Sequence, residues 1–200
     1  MMLRVAVVAA AVAFASLVPS GVRAADTYEI DPAHTSVQFS IRHMMISNVR
    51  GEFTKLSGKA TGDVANPTAA TVEATIDATS IDTRNEKRDE HLRSPDFLDA
   101  AKFPAMTFKS TKVEKAGDAW KLHGDLTLHG VTKPVVLDVT NVTPPTKDPW
   151  GNTRIGAQAT TKINRQDFGI VFNKTLDGGG VLVGDEISIT IDVEVIKKGA

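Results

Sequence analysis

The stretch that decides the fold is RNEKRDEHLRSPDFLDAAKFPAMTF, which runs from Arg84 to Phe108. On both sides of it the chain alternates apolar and polar residues, as β-strands do. Inside it the alternation stops and charge becomes dense. Asn85, Asp89 and Ser94 are each suitable helix N-caps, and Pro95 stands where a first helical turn could begin. The pattern predicts a short helical segment between two runs of strands.

Apolar anchors within this stretch follow roughly helical spacing. Leu92, Phe97, Leu98 and Phe103 recur at intervals that place them on one face. We therefore expect a helical segment near residues 85–100 with one polar and one apolar face. Such a segment would cover one end of a β-barrel.

The rest of the chain after the N-terminal region has the two-residue period of β-strands. In residues 35–43 the apolar side chains alternate with polar ones, which predicts a strand with one face towards water. Residues 71–80, 120–128, 155–163 and 187–195 repeat the pattern. About eight to ten strands with regular turn signals indicate an all-β fold, either a sandwich or an up-and-down antiparallel β-barrel.

The inward faces contain several small residues, Ala74, Ala78, Gly124 and Ala157 among them. A barrel of about eight strands either fills with large side chains or leaves room for one small ligand. Small inward residues opposite aromatic ones favour a partly open, apolar interior. A filled core with alternating large and small layers fits the same pattern.

Composition excludes several functional classes. The 200 residues carry 23 basic and 24 acidic side chains, for a net charge of -1. A chain of this charge lacks the excess of basic residues that is typical of nucleic-acid-binding proteins. It has no cysteine, so a disulfide framework and thiolate chemistry are both excluded.

The N-terminus has the organisation of a secretory signal peptide. Arg4 precedes an apolar run from Val5 to Val18 in which Ser16 is the one polar residue, and small residues then lead to a cleavage site after Ala24. The run is shorter than the roughly 20 residues of a membrane-spanning helix. We expect residues 1–24 to be removed, leaving one domain, 25–200, in the periplasm or secreted, with no transmembrane span.

No catalytic or metal-binding motif accompanies this pattern. The five histidines lack the short paired spacing of zinc sites, and the chain has no GxSxG elbow and no P-loop. We therefore expect no catalytic residues, no metal and no cofactor. His43 lies two residues after Ile41 and four after Phe39, so it shares their inward face at the end of the strand. There it could contact a ligand head group or bind a backbone carbonyl.

Five segments carry a resemblance to a known family. They are HTSVQFSIRH (34–43), VRGEFTKLSG (49–58), the stretch from Ser80 to Ser110 that contains the predicted helix, GDLTLHGVTKPV (124–135) and WGNTRIGAQATTKINRQDFGI (150–170). In this order they resemble the YceI-like family of bacterial secreted proteins. The resemblance implies a lipocalin-like barrel around a long apolar cavity that holds a polyisoprenoid or another long amphiphile. It implies a lipid carrier rather than an enzyme.

The strand parities then assign a ligand-binding wall. The predicted residues are Val37, Phe39, Ile41, His43, Phe53, Val72, Ile76, Met106, Phe108, Trp120, Leu122, Leu126, Leu137, Phe168 and Ile189, with Val135 and Ile191 beside them. Arg42 and Arg165 are further candidates for a head group.

Two other functions stay open at this point. One is a lipid- or quinone-linked enzyme or redox accessory protein, and the other is a stress-response protein whose barrel is filled. A homodimer through an exposed strand edge is also possible.

Overall fold

Twelve strands and one α-helix make up the part of the chain that the computed structural model describes, residues 25–199. The predicted signal peptide, residues 1–24, lies outside the described residues. The strands are β1 (Asp26–Ile30), β2 (Ser36–His43), β3 (Ser47–Phe53), β4 (Leu56–Asp63), β5 (Asn66–Asp77), β6 (Ile81–Asp82), β7 (Ala105–Ala116), β8 (Ala119–Leu128), β9 (Val131–Thr140), β10 (Thr146–Lys147), β11 (Thr153–Asn164) and β12 (Val183–Lys197). The helix α1 spans Glu86–Arg93, and 3₁₀ turns occupy Ala78–Ser80 and Arg165–Phe168.

The sheet closes on itself into an antiparallel barrel. Neighbouring strands follow the order β11, β9, β8, β7, β5, β4, β1, β12, and β12 then pairs again with β11. This closing ladder is long, running from the Arg154–Ile196 pair to the Asn164–Glu186 pair. The barrel of about eight strands predicted from the alternation is therefore confirmed.

Three of the eight strand positions are each divided into two strands. One edge of β12 pairs with β2 from Val183 to Asp192 and with β1 from Val195 to Lys197, so β1 and β2 lie end to end. Beside them β3 pairs with β2 and β4 pairs with β1. Next to these, β6 pairs with β3 and β5 pairs with β4. Residues 47–63 thus form two strands, β3 and β4, with a break at Thr54 and Lys55.

The breaks between these paired strands are bridged by main-chain and hydroxyl hydrogen bonds, with Ser80 linking the second break to the third and Thr35 linking the first to β12. Thr54 N donates to the Ser80 carbonyl at 3.2 Å, and Lys55 N donates to Ser80 Oγ at 3.1 Å. In the first break Asp31 N donates to the Glu194 carbonyl at 2.9 Å, and Thr35 Oγ1 accepts from Glu194 N at 3.1 Å. These bonds replace the missing ladder, because buried backbone groups must be paired.

The helix is where the charge-dense stretch predicts it, but it is shorter. Asn85 is the N-cap, and its side chain accepts from Arg88 N at 3.1 Å. The helix ends at Arg93, and Ser94 is its C-cap with extended backbone angles. Pro95 therefore follows the helix rather than beginning one, because a residue before proline avoids the helical region. No helix within residues 25–199 has the length and apolar character needed to cross a bilayer.

Polar contacts fix the helix to the barrel end. The carboxylate of Asp89, only 6% exposed, accepts from Thr83 N at 2.9 Å and from Thr83 Oγ1. Arg93 donates to the carbonyls of Thr79 and Ile81 at 2.8 and 2.9 Å. A buried apolar cluster lies beneath, formed by Ala78, Ile81, Phe97, Leu98, Ala100, Met106, Leu128, Ile163, Phe168 and Ile170. We call this the plug end of the barrel.

An ion network centred on Arg154 holds the opposite end. Its Nη1 lies 2.6 Å from Asp31 Oδ2 and 2.5 Å from Glu194 Oε1, and its Nε lies 2.7 Å from Asp148 Oδ2. Hydrogen bonds from His34 and then Arg154 lower the pKa of Asp31 to about 2. Burial acts to raise the pKa of Asp148, but hydrogen bonds from Arg154 and Asn152 outweigh it and hold that pKa below its usual range. The network joins β1, β11, β12 and the β10 loop.

Candidate functional site

The barrel encloses a cavity of about 610 Å³. This volume lies within the range of roughly 300–1,000 Å³ that small-molecule sites occupy. The interior is therefore not filled, although the residue pattern alone allowed a filled core. The cavity is the candidate functional site.

Most of the predicted wall surrounds this cavity. The lining includes the predicted residues Val37, Phe39, Ile41, His43, Phe53, Val72, Ile76, Met106, Phe108, Leu122, Leu126, Leu137 and Ile189, with Val135 and Ile191. The barrel brings them together because residues of one parity on each strand face the same side of the sheet. Ligand binding by these residues stays a prediction from the sequence.

Two predicted residues, Trp120 and Phe168, do not lie on the wall. Trp120 has the inward parity of Leu122 but sits at the start of β8, where its ring lies 5.1 Å from Lys115 Nζ. Phe168, 2% exposed, is packed in the buried cluster of the plug end. Parity predicts the face of a strand, but not how far along the barrel the open interior extends.

Other wall residues were not among those predicted from the sequence. Val193 and Val195 continue the inward parity of β12 and could have been predicted from it. Phe172 lies in a segment with no period, so its position depends on tertiary contacts. Leu92, Phe97 and Leu98 reach the cavity from the helix and the turns after it, which were expected to cover the barrel rather than line its interior.

The cavity is long as well as apolar. On β12 the lining runs from Val183 to Val195. Twelve steps at about 3.3 Å each span roughly 40 Å of strand, or about 30 Å along the axis of a barrel with strands tilted by about 40°. This length suits an extended chain better than a compact ligand.

An aromatic group covers the cavity at the plug end. The ring of His91 lies 5.0 Å from that of Phe97 and 5.1 Å from that of Phe172, and Phe97 and Phe172 are 5.0 Å apart. The first two pairs meet edge to face, which is a favourable arrangement. His91 Nε2 also lies 2.8 Å from Asp96 Oδ2, which orients the imidazole.

Five basic side chains reach the lining, and most are held by the protein. Lys59 pairs with Glu73 at 3.2 Å, and Arg88 donates to the Thr83 carbonyl at 2.8 Å. Arg42 and Lys174 are exposed and border the lining, and Leu182 joins their segments, since its N donates to the Lys174 carbonyl and its carbonyl accepts from Met44 N. We call this part of the rim the opening. Lys59, which is also exposed, borders the lining elsewhere. His43 lies next to Arg42, on the wall of this opening.

Arg165, a candidate for a head group, is a structural residue instead. It is 1% exposed. Its Nε donates to the Gly184 carbonyl, Nη1 to those of Ile170 and Phe172, and Nη2 to Asp185. A further contact joins Nη2 to the Val183 carbonyl at 3.5 Å. All five N–H groups are thereby engaged, so this guanidinium has none to offer a ligand.

The other histidines have structural partners. His123 Nε2 lies 3.0 Å from Glu114 Oε1, and His129 Nδ1 donates to the Phe168 carbonyl at 3.1 Å. Asp31, His34 and Glu194 converge closely enough to hold a cation. Arg154, however, already binds both of those carboxylates. A guanidinium there would repel a metal ion.

Comparison with sequences of known proteins identifies relatives across most of the chain. Residues 28–195 match the family model described as YceI-like domain. Over 188 residues the chain is 43% identical to Protein YceI of Escherichia coli O157:H7, with 92% of this chain and 95% of that protein covered. It is 41% identical over 156 residues to a UPF0312 protein of Vibrio cholerae, with 76% of this chain and 82% of that protein covered.

Solved structures share the fold. The Campylobacter jejuni YceI protein matches with a TM-score of 0.67 and 35% identity over 79% of this chain and 90% of that one. Burkholderia cenocepacia BcnA matches with a TM-score of 0.72 and 24% identity over 82% and 98% of the two chains. A polyisoprenoid binding domain from Saccharophagus degradans, implicated in plant cell wall breakdown, matches with a TM-score of 0.62 and 15% identity over 86% and 98%.

Proposed function

Because the chain belongs to the YceI-like family, we propose that it is a binding and carrier protein for a polyisoprenoid or a similar long-chain amphiphilic lipid. The observation that carries the proposal is the long apolar cavity of about 610 Å³ inside the closed barrel. The protein acts by binding rather than by catalysis.

Elementary physical chemistry supports a lipid in this cavity. Moving an apolar chain out of water gains about 0.8 kcal/mol for each CH₂ group buried. The wall that would replace water is built of aliphatic and aromatic side chains, and the closed ladder of β11 and β12 leaves no strand edge at the seam. The Saccharophagus degradans neighbour, which is described as polyisoprenoid binding, provides a ligand class to test.

The charges at the opening favour a polar or negatively charged head group. Arg42 and Lys174 are exposed beside the lining, and His43 lies on the wall between the strand end and the interior. A lipid with its chain inside would place its head group near these residues. Arg165 does not take part, because its donors are already engaged.

The proposed location is the periplasm or the extracellular medium. It is supported by the signal-peptide pattern of residues 1–24, with cleavage after Ala24. A carrier that shields an apolar chain suits an aqueous compartment that lipids must cross. Intact mass of the protein recovered from that compartment tests the cleavage site directly.

Native mass spectrometry followed by organic extraction tests the function. The protein should be purified from its own host without detergent. We expect a stoichiometric adduct with an isoprenoid or acyl mass, released into the organic phase. A ligand-free mass that does not change after incubation with polyprenols and fatty acids would contradict the proposal. The same spectra also test the possible homodimer.

A further inference from the structure

The turn between β2 and β3 presents three consecutive apolar residues to solvent. Met44, Met45 and Ile46 are 37%, 56% and 75% exposed. Runs of exposed apolar residues are unfavourable in a folded protein unless they serve a function. We call Met44–Ile46 the apolar tip.

The backbone holds the apolar tip in a fixed and costly conformation. Met44 and Met45 have φ values of 51° and 60°, a region that side chains other than glycine and asparagine seldom adopt. Met44 N donates to the Leu182 carbonyl at 2.8 Å, Ile46 N to the His43 carbonyl at 3.0 Å, and Arg42 Nη2 to the Met45 carbonyl at 2.9 Å. These hydrogen bonds fix the turn, so its apolar side chains are held in solvent by the backbone conformation.

The apolar tip is continuous with the opening of the cavity. Arg42 and His43, which precede it in the chain, border the lining, and so does Leu182, whose carbonyl binds Met44. Met45 lies next to Gly180 in the loop that leads to Leu182. An apolar chain that leaves the cavity here would meet the tip before it met bulk water.

We infer that the apolar tip inserts into the interface of an anionic lipid bilayer and docks the cavity opening on it. Charge supports a bilayer as the partner, because Arg42 and Lys174 flank the opening and basic residues near a membrane surface are attracted to anionic lipids. Area argues against a protein partner. Stable protein interfaces bury about 800 Å² on each side, whereas three side chains on one turn present far less.

A role of this docking in lipid transfer rests on the proposed carrier function. The docking itself needs no bound lipid, so the two can fail separately. Native mass spectra report on cargo, and vesicle binding reports on the tip. A protein that carries lipid but ignores vesicles would overturn only the inference made here.

A tryptophan placed in the tip gives a site-specific test. In Ile46→Trp, combined with Trp120→Phe and Trp150→Phe, the only tryptophan of the chain lies in the tip. Its emission should shift to the blue and be quenched by brominated lipids when vesicles of equal phosphatidylglycerol and phosphatidylcholine are added. Trp120→Phe alone is the matched control, because its remaining tryptophan, Trp150, is 80% exposed on the β10–β11 turn at the other end of the barrel. Absence of the shift in the Ile46→Trp variant, or an equal shift in Trp120→Phe, would overturn the inference.

Removal of the tip's apolar side chains gives the complementary test. Met45→Asn with Ile46→Ser keeps the turn, since asparagine tolerates positive φ, and should weaken partitioning into the same vesicles roughly tenfold or more. Lys174→Gln should weaken it less, and only with phosphatidylglycerol present. Unchanged partitioning in the double variant would refute membrane docking. So would tip-dependent self-association without vesicle binding, measured by sedimentation.

Discussion

The guanidinium of Arg165 lies 2.9 Å from the carboxylate of Asp185, but the two ends of this ion pair have different environments. Arg165 is buried to 1% exposure, while the side chain of Asp185 is 44% exposed. The remaining Arg165 donors bind main-chain carbonyls on both sides of the segment from Ile170 to Gly184. The arginine therefore holds this segment to the barrel, and the carboxylate is a minor part of its environment.

Arg165→Met should destabilise the fold by about 3 kcal/mol or more, because several buried carbonyls lose their donor at roughly 1–3 kcal/mol each. Asp185→Asn is the control, and it should cost less than Arg165→Met, because the amide oxygen can still accept from Nη2 and the main-chain carbonyls keep their donors. Urea unfolding followed by circular dichroism measures both. Equal losses in the two variants would show that the ion pair, and not the carbonyl contacts, supplies the stability.

Ala157→Trp should reduce lipid binding without unfolding the barrel. Ala157 lines the cavity opposite Val193 on β12, so an indole there occupies ligand space. Displacing even two CH₂ groups at about 0.8 kcal/mol each weakens binding roughly tenfold. Native mass spectrometry of the copurified lipid gives the result.

The control is Thr160→Trp, which places the same side chain on the exposed face of the same strand. Undiminished lipid in a folded Ala157→Trp protein would contradict the cavity as the binding site. Ala78→Trp is not an equivalent test, because Ala78 is buried in the plug-end cluster rather than on the wall.

Gly124→Ala should cost about 1–3 kcal/mol through overpacking. A Cβ at Gly124 would meet the ring of Phe108 and lie 2.7 Å from the Lys109 carbonyl. Adding Phe108→Leu should recover part of the loss, because residues in contact are not additive. Gly178→Ala, where a Cβ meets nothing within 4 Å, should be nearly neutral. Independent effects of Gly124→Ala and Phe108→Leu in a double-mutant cycle would refute the contact.

The Arg154 network should make the fold sensitive to acid. Hydrogen bonds from His34 and Arg154 lower the pKa of Asp31 from 3.8 to about 2. A carboxyl with a lower pKa in the folded state stabilises it above the ordinary value, and this contribution is lost as pH falls through the interval between the two values. The urea concentration at the unfolding midpoint should decrease as pH falls from 3.8 to about 2, and it should decrease less in Asp31→Asn. An unchanged slope in that variant would exclude Asp31 as a cause.

Local signals made part of the fold predictable from the sequence. Asn85 is a good N-cap before a charge-dense run, and it does begin the helix. The alternation of Val37, Phe39 and Ile41 predicted the face that lines the cavity. These features depend on residues close together in the chain, so a period or a cap residue is enough to identify them.

Features that depend on distant residues were not predictable. Thr54 and Lys55 continue a strand-like pattern, and the break there becomes visible only with the hydroxyl of Ser80 beside them. Arg165 looks like an exposed charge at a strand end, and its burial is set by carbonyls that follow it in an aperiodic segment. Trp120 shares the inward parity of Leu122, but it lies at the start of β8, outside the cavity. How far the cavity extends along each strand depends on barrel closure, which the local sequence does not encode.

The three adjacent breaks, at residues 31–35, 54–55 and 78–80, form a crease across one side of the tube. Elsewhere in the barrel, β8 and β9 share nine consecutive residue pairs and β11 and β12 share eleven, with no register shift in either ladder. These two ladders are therefore stiff parts of the wall, whereas the breaks are held by a few main-chain and hydroxyl bonds. A change of girth needed to accept a thicker chain would fall on the crease and leave the seam between β11 and β12 closed.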